Sequence, residues 1–204
     1  RAAARAMLEK CRTYVFVWME AAAVEAAMLV GPDLTIDASQ ALTATRCRFT
    51  DRERRAKCRV LKELGRAFHA VHDFYSHSNW TDPPRETVTL KTPPGLGHGE
   101  PAPWLESLDA AFPEGLISGC YEPILPVRDC AGRVLHRDMN KDTAEDPNSA
   151  DGNYRRAIDV ATEDTRRRWA RFETRLIELY GAERGTRIAC VVRNDDPAVC
   201  EQQA

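Results

Sequence analysis

The sequence has no long apolar run, no excess of either charge and no C-x-x-C pair. Its longest apolar stretch, from Tyr14 to Val30, is interrupted by Glu20 and Glu25, so it is too short and too charged to span a membrane. The 29 basic and 31 acidic residues leave a net charge of −2, which argues against a dedicated nucleic-acid binder. Without a C-x-x-C pair, zinc ribbons and thioredoxin-type redox sites are disfavoured.

Large apolar side chains are also few. Ile, Leu, Val and Phe together number 40 of 204 residues, which is a low share for a large hydrophobic sandwich, whereas 28 alanines favour helices. Because the charges are mixed and the apolar residues cluster, we expect the chain to fold and not to be disordered. We predict a single all-α domain over residues 1–204, built from long helices with long, disulfide-braced loops.

Six of the seven cysteines fall into three local pairs, 10 or 11 positions apart: Cys47 with Cys58, Cys120 with Cys130, and Cys190 with Cys200. As disulfides, each would close a short loop and contribute about 2–3 kcal/mol in the chain-entropy model. The alternative is a set of reduced, buried cysteines in a cytosolic protein. Pairing is favoured, and it predicts secretion or another oxidising compartment outside the cytoplasm. Cys11 is left over, and the last pair would close a tail over residues 182–204.

Apolar residues spaced three and four apart predict three long helices, over residues 2–30, 50–80 and 153–180. The second helix is expected to start at a capping box formed by Thr50 and Glu53. Gly181 suits the position just after the third helix. Two shorter helices are predicted at 39–44 and 104–112, and the proline-rich segment 85–103 and most of 113–152 read as loops. The predicted core stripe of the third helix is Ile158, Ala161, Thr165, Trp169, Phe172, Leu176 and Leu179.

Three polar side chains of the second helix recur at every fourth position. His69, Asp73 and His77 span only about 80° of arc, so they project from one face. Two imidazoles and a carboxylate at this spacing suit a divalent cation, zinc above all. The alternative is a surface ion pair that binds no metal. His72, about 60° away, could serve as a supporting donor. The neighbouring aromatic side chains are expected to pack in the core: Phe68, Phe74, Tyr75 and Trp80.

A second polar cluster spans residues 136–142, before the third long helix. A site on one helix is usually completed from elsewhere in the chain, and His136 is the only other histidine outside the proline-rich loop. Asn140 and Asp142 could coordinate from the same loop, although a solvated turn would have the same composition. His98 is expected to be an exposed loop histidine. The triplet 166–168 of arginines reads as a solvated helix face, because acidic residues flank it.

The run from Leu64 to Trp80 resembles the signature of the Het-C family, named for a fungal heterokaryon-incompatibility protein. In that family the run reads roughly L-G-x-x-x-H-x-x-x-D-F-Y-x-H-S-N-W. The segment 130–142 is similar to the second block of the family, and the resemblance covers about residues 50–180. More distantly, the chain looks like zinc-dependent phospholipases C and fungal zinc nucleases. The resemblance implies an all-α, zinc-dependent phospholipase C-like fold with metal bound on the second helix.

The resemblance also implies a ligand set. His69 and Asp73 match the H-x-x-x-D ligands of the wider group, His77 matches the Het-C histidine, and His136 is the best candidate for the downstream histidine. Position 140 is Asn where the wider group has Glu, and no histidine precedes His69. We therefore expect one or two zinc ions and not three.

Three functions are compatible with these features. The first is a secreted zinc-dependent phosphodiester hydrolase acting on a phospholipid or another phosphodiester, with transient contact to a membrane surface. Asp142 or Asp138 would orient a water or act as base, and Arg137 would hold phosphate oxygens. The second is a non-catalytic recognition or toxicity domain with a structural metal. The third, a zinc nuclease, is disfavoured by the net charge of −2, with the arginines of 166–168 as the feature that keeps it open.

Overall fold

The structure is a computed structural model that describes residues 2–41, 47–50, 52–122, 130–146 and 148–201. These residues form α-helices, one 3₁₀ turn and three isolated β-bridges. The helices are α1 (Ala2–Ala26), α2 (Ala38–Ala41), α3 (Ala56–His77), α4 (Pro103–Glu106), α5 (His136–Met139), α6 (Asn153–Tyr180), α7 (Ala182–Arg193) and α8 (Ala198–Glu201). The all-α prediction is confirmed. In the described part of the chain, each helix is too short or too polar to cross a membrane.

The chain groups into two compact units. Unit 1 consists of residues 1–14 and 69–165, and unit 2 of residues 15–68 and 166–204. Helices α1, α3 and α6 each contribute residues to both units. The polar cluster of α3 and the loops around it belong to unit 1, whereas residues 188–192 of α7 pack in the core of unit 2.

The core of unit 2 combines small and large side chains. Its buried members include Ala22, Ala23, Ala26, Val60, Leu64, Phe172, Leu176 and Ile188. The close packing of α6 and α7 depends on Gly185, where a Cβ atom would lie 2.6 Å from the carbonyl oxygen of Leu176. Gly181 makes the reversal between these helices, with a φ of 82° in the left-handed region that favours glycine. The alanine-rich composition therefore serves close helix packing in this unit.

The three predicted disulfides are present. Cys47 is bonded to Cys58, Cys120 to Cys130, and Cys190 to Cys200. Cys11 is outside these three disulfides; it is half-buried in unit 1, where its thiol donates to the Ala70 carbonyl at 3.5 Å. The bounds predicted for α6 are also confirmed, and α1 gives way to the 3₁₀ turn Ala27–Leu29 just before its predicted end at residue 30. Helix α2 overlaps the segment predicted at 39–44, of which residues 42–44 lie outside the described part.

The capping-box prediction is wrong, because α3 begins at Ala56 and not at Thr50. The Glu53 carboxylate accepts hydrogen bonds from the backbone N–H groups of Arg48 and Arg55, at 3.0 and 3.1 Å. It also pairs with the Arg55 guanidinium. These bonds hold the chain in a turn ahead of the helix. The carboxylate that would have capped a first turn at Thr50 is thereby engaged elsewhere.

Two other helix predictions need correction. The tail over 182–204 contains the predicted disulfide, but it is mostly α7, with Val191 and Val192 buried in the core of unit 2. Gly181 follows the last residue of α6 as predicted, and it is also the N-cap residue of α7. In the first unit, α4 ends at Glu106 and not near 112, because Ser107 has an extended backbone with φ −141° and ψ 135°.

The predicted core stripe of α6 is partly wrong. Ile158 and Leu179 are exposed, whereas Asp164 and Arg168 are buried. In unit 1, the Asp164 carboxylate accepts a hydrogen bond of 2.5 Å from the Tyr75 hydroxyl, which explains how a charged residue occupies a core position. Of the arginine triplet, residues 166 and 167 are exposed as predicted, and Arg168 is not.

Candidate metal centre

The polar face of α3 brings the three predicted side chains of this helix together. His69 Nε2 lies 3.4 Å from Asp73 Oδ2, and His77 Nε2 lies 3.9 Å from Asp73 Oδ1. His69 is largely exposed, Asp73 is half-exposed, and the His77 side chain is only 18% exposed. One carboxylate therefore faces a histidine on each side, one helical turn before it and one turn after it.

Asp142 joins this face from the loop after α5. Its Oδ1 lies 3.6 Å from His77 Nε2 and accepts a hydrogen bond of 2.5 Å from the Ser76 hydroxyl. Ser76 thus fixes the carboxylate beside the imidazole. Ser76 was not predicted as a site residue, because its position in the helix does not indicate which loop it contacts.

His136, the predicted downstream histidine, also lies at the cluster. Its ring stacks on that of His77, with centroids 4.1 Å apart, and Tyr121 meets it edge-on. Gly119 makes this approach possible, because a Cβ atom there would lie 2.6 Å from His136 Cα. His69, Asp73, His77, His136 and Asp142 are called the His–Asp cluster below.

The separations within the His–Asp cluster bear on metal binding. The three N···O distances of 3.4–3.9 Å exceed the 2.7–3.2 Å of a hydrogen bond. Two ligands of one tetrahedral zinc, each bound at about 2.0–2.2 Å, lie about 3.3–3.6 Å apart. The donor types suit zinc, and the separations of 3.4 and 3.6 Å fall in this range, whereas the 3.9 Å between His77 Nε2 and Asp73 Oδ1 lies above it. Within the described residues, however, no group of three or more His, Cys, Asp or Glu side chains is arranged to hold a metal ion. The two α3 histidines face different oxygens of Asp73, so three donors do not share one point.

His77 is held in the neutral form that binds metals. Burial, followed by the neighbouring His136 ring, lowers the pKa of His77 below its usual value of 6.5, and the nearby carboxylates of Asp142 and Asp73 only partly oppose this. Its buried Nδ1 has no hydrogen-bond partner in the described part of the chain. At neutral pH the cluster therefore combines neutral imidazole with two carboxylates. The resulting net negative charge favours a cation.

His72 has a supporting position. Its Nε2 lies 2.9 Å from the Thr165 hydroxyl, which donates its own proton to the Ala161 carbonyl at 2.8 Å. The hydroxyl proton is thus used, so His72 Nε2–H is the donor. Burial lowers the pKa of His72, which keeps the ring neutral. His72 is oriented by α6 and presents no free Nε2 to a metal.

A buried ion pair holds the Asp142 loop. Lys141 Nζ lies 2.9 Å from Asp82 Oδ1, with both side chains completely buried. The same ammonium donates to the carbonyl of Ser78, at 2.9 Å. Asp82 also accepts hydrogen bonds from the amides of Asn148 and Asn153. Since Lys141 precedes Asp142 and Ser78 follows His77, this network fixes two members of the cluster against each other.

The last two residues of the Leu64–Trp80 run, Asn79 and Trp80, hold the neighbouring loops in place. Asn79 donates from its amide to the carbonyls of Pro94 and Gly115, at 2.7 and 3.0 Å, and accepts from the backbone of Ile117. Trp80 donates to the carbonyl of Glu100 at 2.8 Å. These bonds explain why α3 ends at His77 and not at Trp80, since the following backbone pairs with the loops.

The predicted core role of the aromatics is confirmed for Phe74, Tyr75 and Trp80, which are buried, and Phe68 packs partly buried in unit 2. The exposed position of His98 is confirmed as well, and its ring lies on that of Trp80, with centroids 4.1 Å apart.

Two predicted site residues lie apart from the cluster. The largely exposed Arg137 pairs with Glu122, with 3.6 Å between Nη1 and Oε2. Asp138 is in α5, where its backbone N–H donates to the Leu135 carbonyl, and its side chain has no contact with the cluster among the described residues. Asp142 is thus the one of the two candidate acids that the structure brings to the histidines.

A cavity of about 310 Å³ adjoins the His–Asp cluster. His69, Asp73 and Asp142 line its polar side. Its opposite wall is formed by α6, chiefly by Ala157 and Ile158. The cavity is large enough for a small ligand. No protein-family model, curated protein or solved structure matches this chain.

Proposed function

We propose that this chain is a secreted, zinc-dependent phosphodiester hydrolase of the Het-C type, with a phospholipase C-like helical fold. The observation that carries the proposal is the set of 3.4–3.9 Å separations between histidine nitrogens and carboxylate oxygens beside an open cavity. Hydrogen bonds would be shorter, and ligands of a common ion would have about these spacings. The three disulfides support an oxidising compartment.

His69, Asp73 and His77 would hold the zinc, with Asp142 and His136 as further donors. Among the described residues, the Asp73 carboxylate forms ion pairs only with the two histidines, and its side chain is 49% exposed. Its carboxylate can therefore rotate to complete a ligand set at little cost. Bound zinc would lower the pKa of a coordinated water to about 7 and polarise a phosphoryl oxygen.

The other side chains would position the reacting groups. Ser76 holds the Asp142 carboxylate at the edge of the cavity, where it can accept a proton from a water. Lys141 keeps the backbone of this acid in place through its buried pair with Asp82. The apolar α6 wall would exclude solvent on one side of the substrate. Asp142 is therefore preferred over Asp138 as the base.

Hydrolysis of a chromogenic phosphodiester, with and without added zinc, tests the proposal. We expect zinc-dependent turnover that a chelator abolishes. Asp73→Asn should lower kcat/KM by more than the 10- to 100-fold, roughly, that is typical for groups that only support metal ligands. His98→Ala is the matched control, since His98 is exposed and lies on Trp80 instead of the cluster, and it should keep full activity. Zinc-loaded protein that hydrolyses neither nucleotide nor glycerophospholipid diesters would contradict the proposal.

The second candidate is a recognition or toxicity domain with a structural metal. It is favoured by the finding that no three donors converge among the described residues. The two candidates differ in the response to His69→Ala. A hydrolase should lose turnover while keeping its melting temperature, whereas a structural site should lose melting temperature first, because metal binding is then part of the folding free energy.

A further inference from the structure

Asp73 lines a second cavity, of about 180 Å³, in addition to the one along α6. His77 and Arg133 also line it, and Met7 and Leu8 of α1 give it an apolar wall. A third cavity, of about 430 Å³, shares Ser118 and Arg133 with the second. Arg133 thus stands between the His–Asp cluster and the third cavity.

The third cavity is predominantly apolar. Its lining side chains include Val88, Leu90, Pro94, Ile117 and Val134. Val88 and Leu90 are 55% and 53% exposed, so their side chains are open to a ligand. A groove of this volume and composition suits a hydrocarbon chain.

Arg133 is a cation with no partner in the part of the chain that the structure describes. Its guanidinium makes no ion pair or hydrogen bond there, although it is half-buried. Other arginines of unit 1 are engaged: Arg12 donates to three backbone carbonyls, and Arg137 pairs with Glu122. A guanidinium binds phosphate oxygens through two parallel N–H donors. Arg133 is therefore available for an anion beside the cluster.

The loop that carries Arg133 is held in place before any ligand arrives. Arg133 lies three residues after Cys130, which is bonded to Cys120. The Arg133 N–H donates to the Cys130 carbonyl at 3.0 Å, and the Cys120 N–H donates to the Val134 carbonyl at 2.8 Å. Because the backbone is already ordered, a ligand that binds Arg133 loses less conformational entropy on binding.

We propose that Arg133 binds the anionic head of an amphiphilic phosphate ester whose hydrocarbon part occupies the groove of Val88 and Leu90. This inference rests on the proposed function, since it places the phosphate next to the His–Asp cluster and names the substrate class. The groove would bind the hydrocarbon tail, and the guanidinium would bind the phosphate. The second and third cavities share lining residues, so head and tail can lie in adjoining cavities. A neutral lipid would fill the groove without contacting Arg133 through a charge, and a phosphate without a tail would bind Arg133 and leave the groove empty.

Binding of octylphosphonate, measured by calorimetry with a chelator present, tests the inference without turnover. Octyl glucoside supplies the same tail without charge, and inorganic phosphate supplies charge without a tail. We expect octylphosphonate to bind more tightly than either. Arg133→Gln should weaken it about 10- to 100-fold, the range for a charged hydrogen-bond partner, and Leu90→Asp should weaken octylphosphonate but not phosphate. Arg155→Gln, at an exposed arginine paired with Asp159, is the matched control and should change neither.

Two results would overturn the inference. One is octyl glucoside binding as tightly as octylphosphonate, with no effect of Arg133→Gln, because the tail alone would then be recognised. The other is loss of octylphosphonate binding in Arg137→Gln but not in Arg133→Gln. The proposed function is tested separately: binding at Arg133 without hydrolysis would contradict the hydrolase alone, whereas hydrolysis unchanged by Arg133→Gln would contradict only the role of Arg133.

Discussion

Replacing Lys141 with methionine removes the cation that compensates Asp82 in a completely buried pair. Removal of one partner of such a pair leaves an uncompensated charge, and it costs about 3–5 kcal/mol. Lys141 Nζ also donates to the Ser78 carbonyl at 2.9 Å, and this acceptor loses its donor as well. For a chain of this length we expect the melting temperature to fall by about 6–20 °C.

Chemical denaturation monitored by circular dichroism measures this loss, and two further variants control it. Asp142→Asn changes the neighbouring residue, whose side chain is 51% exposed, and should cost no more than about 0.5 kcal/mol. The double variant Lys141→Met/Asp82→Asn should lose less than the sum of the two single variants, because neither charge is then left alone. A loss below about 1 kcal/mol in Lys141→Met would refute the argument that this pair fixes the Asp142 loop.

Three further results are expected. Glu53→Gln should lower the free energy of unfolding at pH 7 by about 1–2 kcal/mol. The fall in the pKa of Glu53 from 4.5 to about 2 represents roughly 3 kcal/mol, of which solvent screening leaves this part. In urea titrations the difference between variant and wild type should vanish as the pH falls from 4.5 towards 2, and a difference that persists at pH 2 would contradict the prediction. The folded state holds His77 neutral, so its contribution to stability should decline as the pH falls from 6.5 to the lowered pKa, and His136→Gln should raise that pKa in an NMR titration. Asn79→Ala should cost about 2–4 kcal/mol in thermal unfolding, because two partly buried carbonyls and one N–H lose their partner. An unchanged melting temperature would show that these loops are held by other contacts.

Helix bounds could be predicted from the sequence where the apolar spacing was long and a residue such as glycine indicated the end of the helix. Helix α6 has the predicted bounds because 28 residues repeat an apolar stripe and Gly181 follows. Helix α3 starts later than predicted because Glu53 is engaged by the preceding turn. Such a contact depends on where the chain folds back. A rule based on the spacing of neighbouring residues cannot predict that position.

In the candidate site, too, relations within one helix could be predicted from the sequence, whereas contacts between distant segments could not. Spacing alone places His69, Asp73 and His77 on one face, because their relation lies within a single helix. That Asp142 joins them while Asp138 does not is decided by the buried Lys141–Asp82 pair, a tertiary contact. Arg133 escaped the sequence reading for a similar reason. Its position next to the cluster follows from a tertiary contact, the hydrogen bond from the Cys120 N–H to the Val134 carbonyl, and no motif marks it.

Elemental mass spectrometry of protein purified without chelators or a histidine tag measures whether the His–Asp cluster binds zinc. We expect about one or two zinc ions per chain, lost in Asp73→Ala and retained in His98→Ala. A wild-type content below about a tenth of an ion per chain, unchanged after zinc is added, would contradict it. The polar face of α3 would then be a set of surface ion pairs without a metal.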